Sequence, residues 1–302
     1  MLIKPVTNED LLQTENNFAL PSGEQTDIFS DKNSVIIQST GFISILNLRD
    51  FWVYRELFYF LALRDIKIRY KQTALGIIWI LLQPLIATLI FAQIALHFGG
   101  GQDLNIPCPL FVFSGFTVWT FINAAITNSS NSLLNHSALI TKVFFPRLII
   151  PLSAVGATLL DLFIGLISLL LMMIIYDVFP SWKSLLALLL IVPILLSTLG
   201  LGILTAALNV KYRDVKYIMP FALQVIFFVT PVFYSLSVIP QKSVWIWRLN
   251  PFAGSLENLR AAFFDGRVDW YSFSLSFVVS IALLLLAVYV FHNMEDDFAD
   301  VI

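Results

Sequence analysis

The chain has 302 residues, of which 58% are hydrophobic and 13% charged, with a formal net charge of −2 and a mean hydropathy of +0.82. Soluble domains hold about 45–50% apolar and about 25% charged residues, so this composition excludes a soluble globular class and indicates an integral membrane protein. Cys108 is the sole cysteine, which excludes a disulfide framework or a thiol cluster for a metal.

The first 40 residues are polar, with Glu9, Asp10, Glu15, Glu24, Asp27 and Asp31 against Lys4 and Lys32. Such a segment buries too little apolar surface to fold alone and reads as a cytoplasmic arm, either a tail or a docking element. Met1 to Thr7 lack the basic-then-apolar order of a cleavable signal peptide, so the first true span is expected to double as the insertion signal.

Residues 41–73 change character. Phe51, Trp52, Tyr54, Phe58 and Phe60 interleave with Arg49, Arg55, Arg64, Asp65, Lys67, Arg69, Tyr70 and Lys71. Apolar side chains on one side and cations on the other predict a helix lying in the membrane interface. It carries too many charges to cross.

Six apolar runs follow, at about 75–98, 107–127, 148–176, 185–208, 217–239 and 272–292. Each approaches or exceeds the ~20 residues that cross ~30 Å of hydrocarbon. The expected architecture is therefore all-α, with six spans inside a domain over 74–294 and a tail over 295–302. Arg64, Lys67, Arg69 and Lys71 precede the first span, while Lys142 and Arg147 follow the second and Lys211, Arg213 and Lys216 the fourth. The opposite-side loops 99–106 and 177–184 hold only Lys183. The positive-inside rule then predicts a multi-pass protein of the cell membrane with both termini cytoplasmic. The long loop 236–271 faces outward and mixes Trp245, Trp247, Phe252 and Phe263 with charges, Pro251 and Gly254. Its segments, too short to span, read as re-entrant, or else as an interfacial loop.

Chemistry is sparse. With no Gly-Lys pair there is no phosphate-binding loop. His97, His136 and His292 lie near three different span ends, so no metal site is expected. No nucleophile–base spacing marks an enzyme, and nothing marks nucleic-acid binding. Asp161 is the one charged side chain inside the six runs. A carboxylate there must face protein or water, so it is either a satisfied packing contact or a pathway residue. Trp79, Phe113, Phe116, Trp119, Phe121, Phe227, Phe228, Phe233 and Tyr234 concentrate in spans one, two and five. They read as rings lining a dry conduit, or as interfacial anchors and lipid-facing Phe.

The run Arg64-Asp65-Ile66-Lys67-Ile68-Arg69-Tyr70-Lys71-Gln72-Thr73-Ala74-Leu75-Gly76, followed by Trp79 and Gln83-Pro84, resembles the signature of polysaccharide-export ABC transporter permeases. Lys142-Val143-Phe144-Phe145-Pro146-Arg147, Asn209-Val210-Lys211-Tyr212-Arg213-Asp214, Asn250-Pro251-Phe252 and Glu295 with Phe298 extend the likeness from residue 42 to the end. The resemblance implies a homodimer enclosing a channel for lipid-linked polysaccharide of O-antigen, capsule or teichoic-acid type. It also implies two copies of a separate ATPase subunit, which binds ATP and Mg while this chain binds no cofactor. A cytoplasmic coupling helix is then expected within 129–142, with Leu134, Asn135, His136, Leu139 and Lys142 as docking residues. The rivals are an ABC permease for another lipid or a drug, a secondary transporter and a membrane transferase. A secondary transporter would often show internal repeats, and none is visible.

Overall fold

The computed structural model describes residues 52–71, 78–97, 106–143, 145–212, 214–240, 242–295 and 298. The arm 1–40, residues 72–77 of the junction, Arg213 and the tail 299–302 lie outside the described residues. What is described is helical, without a β-strand among the described residues.

Helix α1, Arg55–Lys71, occupies the place expected for the interface helix. Tyr54 just before it and Leu57, Phe58, Leu61, Ala62, Leu63, Asp65, Ile66, Arg69 and Tyr70 within it are buried or half-buried. They recur at the three- and four-residue spacing of a single helical face. That face packs on α5, Ile149–Ile175. Contact is close because Gly156 has no side chain: a Cβ there would stand 2.8 Å from the Phe58 ring. The expected division of aromatics to one side and cations to the other needs correction. Tyr59 and Phe60 point outward with Lys67 and Lys71, whereas Asp65 and Arg69 turn inward. Tertiary partners for two charges outweigh the simple amphipathic pattern.

Among the described residues, five helical segments are long and apolar enough to cross a bilayer. They are α2, Ile78–His97; α3, Cys108–Asn135; α5; a composite over Trp182–Lys211; and α11, Trp270–Glu295. The composite consists of a 3-10 turn, a short α6, Ala187–Leu190, and α7, Val192–Lys211. Helix α3 is central, packed by α2, α5 and α7 and buried along most of its length. Hydroxyls and amides fasten the bundle where hydrocarbon offers no other partners. Ser197 and Ser280 join α7 to α11 at 2.7 Å, and Asn209 Nδ2 donates to the Ser130 carbonyl at 2.9 Å.

Two departures from the sequence expectation matter. First, α3 runs seven residues beyond 128, so 129–135 prolong the second span and only a single turn, α4, Ser137–Ile140, follows as a separate helix. Second, the run 217–239 is not one helix. Helix α8, Val215–Val229, has 15 residues, about 22 Å at 1.5 Å per residue, short of the ~30 Å core. It stops because Thr230 precedes Pro231: the residue before proline is driven out of the α region, and Thr230 sits at φ −90°, ψ 133°. The loop 236–271 then folds into α9, Val244–Arg248, and α10, Pro251–Phe263. Helix α10 is buried almost throughout, packed on α11 and α7.

Two hydrophobic clusters divide the bundle along its length. One gathers Leu61, Leu133, Ile140, Ile150, Ala206, Phe291 and Phe298 around α1. The other gathers Phe111, Phe116, Leu190, Leu223, Val232, Phe252 and Phe263 at the opposite end.

Candidate functional site

Arg69 and Tyr70 of α1 meet Asp161 of α5. Arg69 Nη1 lies 2.5 Å from Asp161 Oδ2, and both side chains are largely buried. The Tyr70 hydroxyl donates to Asp161 Oδ1. Burial, and then the Asp161 hydrogen bond, push the Tyr70 phenol up to about 12. It therefore stays a donor at neutral pH. The lone intramembrane carboxylate is thus satisfied by a cation and a phenol from a helix about 90 residues earlier. Both readings of Asp161 survive, because this knot also lines a cavity of about 300 Å³. Trp79 and Gln83 of α2 and Thr120 and Asn128 of α3 form its other walls.

From that cavity a polar stripe descends along α3. Thr120, Asn123, Thr127, Asn128, Asn131 and Asn135 are accessible or half-accessible and follow helical i, i+3, i+4 spacing, while the other faces of α3 are buried. Over 15 residues the stripe extends about 22 Å. Asn131 Nδ2 donates to the Thr127 carbonyl at 2.8 Å, so amide groups line the face without closing it. Amides and hydroxyls turned to lipid would be costly, so this face requires water, ligand or another chain. Thr120, Asn123, Thr127 and Asn131 already show this spacing in the sequence, but the apolar residues between them mask it in an average of hydropathy.

The aromatic residues divide into three groups. Phe116, Trp119, Phe227 and Phe233, with Phe91 of α2, form a packed cluster with ring centroids 5.0–6.1 Å apart, a range that favours tilted and edge contacts. Tyr234 borders it, accepting from Trp247 Nε1 at 2.9 Å. Phe113 and Phe121 are 1% exposed inside the protomer core and so are unavailable to line an open conduit. Trp79 and Phe228 are exposed, Trp79 beside the cavity and Phe228 on the outer side of α8.

At the α1 end, Leu134, Asn135 and Lys142 are exposed and Leu139 is half-buried. His136 is not on the surface. Its Nδ1 lies 2.6 Å from the Ser132 carbonyl, and its Nε2 faces Asp65 Oδ1 at 4.0 Å. Asp65 is held in turn by Arg64 at 2.8 Å. His136 thus sits between the turn that joins α3 to α4 and the α1 helix. No group of three or more metal-ligating side chains occurs among the described residues.

The sequence profile of the ABC-2 type transporter family matches residues 56–264, which span α1 through α10. An O-antigen export system permease protein RfbA of Myxococcus xanthus is 30% identical over 257 residues, covering 84% of this chain and 98% of that protein. A permease of the same name from Klebsiella pneumoniae is 27% identical over 245 residues, covering 79% of this chain and 92% of its own length. With the helical bundle and the family match together, this chain belongs to the ABC-2 type transporter family of membrane proteins.

Proposed function

We propose that this chain is the permease subunit of an ATP-driven exporter that moves a lipid-linked polysaccharide across the inner membrane. The observation that carries the reading is the polar stripe of α3 leading from the Arg69–Asp161 cradle, an open hydrophilic face on the central helix of a hydrophobic bundle. A saccharide chain presents hydroxyls on its edges and apolar C–H faces. Amides and hydroxyls can exchange hydrogen bonds with the first, and rings such as Trp79 can meet the second. The relatives named as O-antigen export permeases support this substrate class.

The open stripe is closed by a second copy of the chain. Tyr217, Ile218, Phe221, Val225 and Phe228 form an exposed apolar stripe on α8 that suits such a homodimer. The α1 end faces the cytoplasm, with both termini on that side. The sixth crossing is made jointly by α8 and the re-entrant α10. ATP and Mg bind on two separate ATPase subunits, which dock on Leu134, Asn135, Leu139 and Lys142, while His136 relays from behind them.

The test is export in a strain deleted for this gene. Polymer should accumulate inside the cells, and the wild-type gene should release it. Asn128→Leu with Asn131→Leu should lower export roughly tenfold, as expected for losing one or two hydrogen bonds to a moving ligand, without changing membrane level. Normal export by that variant would remove the stripe from the pathway. Normal polymer release by the deleted strain would reject the substrate class in favour of another lipid or drug.

A further inference from the structure

The end opposite α1 contains a buried cation whose direct partners among the described residues are backbone carbonyls and a hydroxyl, with Glu257 one turn earlier on α10 as its acidic neighbour. Arg260 of α10 is 2% exposed. Its Nη1 donates to the Pro231 carbonyl at 2.6 Å and its Nη2 to the Val232 carbonyl at 2.5 Å. Its Nε donates to Ser114 Oγ at 3.1 Å, and the guanidinium carbon stands 3.9 Å over the Phe111 ring. All of these partners lie on two elements, the segment after the α8 break and the first turns of α3. Where α8 stops at Thr230, the backbone loses its helical partners, a serious matter at membrane depth. The planar fork of one arginine supplies two donors at the spacing of successive carbonyls, which a single ammonium does not reproduce.

The surroundings are built to admit this one group. At Gly115 a Cβ would fall 2.1 Å from the Val232 oxygen and 2.2 Å from Arg260 Nη2, so any side chain there displaces the contact. Asn250 adds a bond from its Nδ2 to Thr230 Oγ1 at 2.9 Å. The two carbonyls held by Arg260 immediately precede Phe233, whose ring lies 5.0 Å from Phe91 and 5.7 Å from Phe227 in the aromatic cluster. On its other side Arg260, with Phe111, walls a polar cavity of about 420 Å³.

We propose that Arg260 is a positioning residue for transport: by clamping the carbonyls of Pro231 and Val232 it seats Phe233 in the aromatic cluster and separates that cluster from the polar cavity. Arg260 itself touches no substrate and acts through the broken backbone it holds. The claim about transport rests on the exporter reading above, whereas the claim about position does not.

The experiment uses the full chain with Cys108→Ser, carrying Val232→Cys as the reporter or Ala206→Cys as a control. Both positions are 0% exposed, Ala206 in the cluster around α1. Purified protein in lipid nanodiscs is treated with a water-soluble maleimide, and export is measured in cells. With Arg260 present, both cysteines should resist labelling. Arg260→Gln should speed labelling of Val232→Cys by at least about tenfold, the effect of losing one hydrogen bond to a charged donor. Ala206→Cys should stay protected, and export should fall at the same membrane level. Arg260→Lys, which keeps the charge but not the fork, should lie between. If Arg260→Gln does not reach the membrane, Gly115→Ala decides instead, because it leaves Arg260 in place and displaces its contact. Unchanged labelling of Val232→Cys, equal loss of protection at Ala206→Cys, or opened labelling with unchanged export would each overturn the proposal. Export is scored only where the wild-type chain restores it to the deletion strain. Failure of that restoration counts against the exporter reading, and labelling then decides the positioning role alone.

Discussion

At the scale of single residues the Arg69–Asp161–Tyr70 knot ties α1 to α5. Removing either charge alone strands the other in a partly buried site, so Asp161→Ala or Arg69→Met should destabilise the protein by roughly 2–4 kcal/mol, below the cost for a fully buried pair. The double variant should cost less than the sum, which denaturant titration in detergent can measure as a double-mutant cycle. Strict additivity would mean that the pair is not coupled. Tyr70 supplies the pH dependence. Its phenol is raised to about 12 in the folded protein, against about 10 when unfolded. The folded state therefore holds the proton more tightly, and this stabilisation is complete below about pH 10 and lost as pH rises to 12. The stability gap between wild type and Tyr70→Phe should stay constant up to about pH 10 and shrink above it. A gap that widens with pH would contradict the hydrogen bond to Asp161. Neither partner of Asp161 could be read from sequence, because Arg69 and Asp161 stand 92 positions apart and no periodicity links them. Their residue types were nonetheless informative: one carboxylate in a long apolar run and a basic segment outside it each demand a partner.

At the scale of elements, the long spans were legible because composition alone makes an apolar run of more than about 20 residues a crossing helix. Their ends were less so. The α3 helix continues through polar Ser129 to Asn135, since buried hydroxyls such as Ser132 bond back to their own helix, here to the Ser129 carbonyl at 2.7 Å, and do not terminate it. The stop after α8 was written in Thr230-Pro231, although hydropathy continues past it. For α1, the decisive contact is Phe58 on Gly156. Gly156→Val should push the ring away and loosen α1 from α5 at a cost of about 1–3 kcal/mol. Limited proteolysis within α1 would then speed up, and an unchanged rate would show that α1 is held elsewhere. His136, expected on the docking surface, instead faces α1 because the turn between α3 and α4 folds its ring inward.

At the scale of the whole molecule, an asymmetric protomer with an open polar stripe calls for a partner. A cysteine at Phe221, on the exposed face of α8, should cross-link to its copy in native membranes, and a monomer-only pattern would argue against the homodimer. Lys142→Glu should weaken co-purification of the ATPase subunit several-fold, as loss of a rim charge does in other complexes. Wild-type recovery would move the docking surface away from Lys142. By itself the sequence determined the membrane class, the five apolar runs that fold as long helices and the likeness to export permeases, because these follow from composition and local motif. Only the tertiary structure decided which polar groups face one another. It paired Asp161 with Arg69, turned one amide-rich face of α3 open, and set Arg260 on the broken fifth run. Such pairings depend on which helix faces pack together, and a buried charge must find its partner across the fold rather than along the chain.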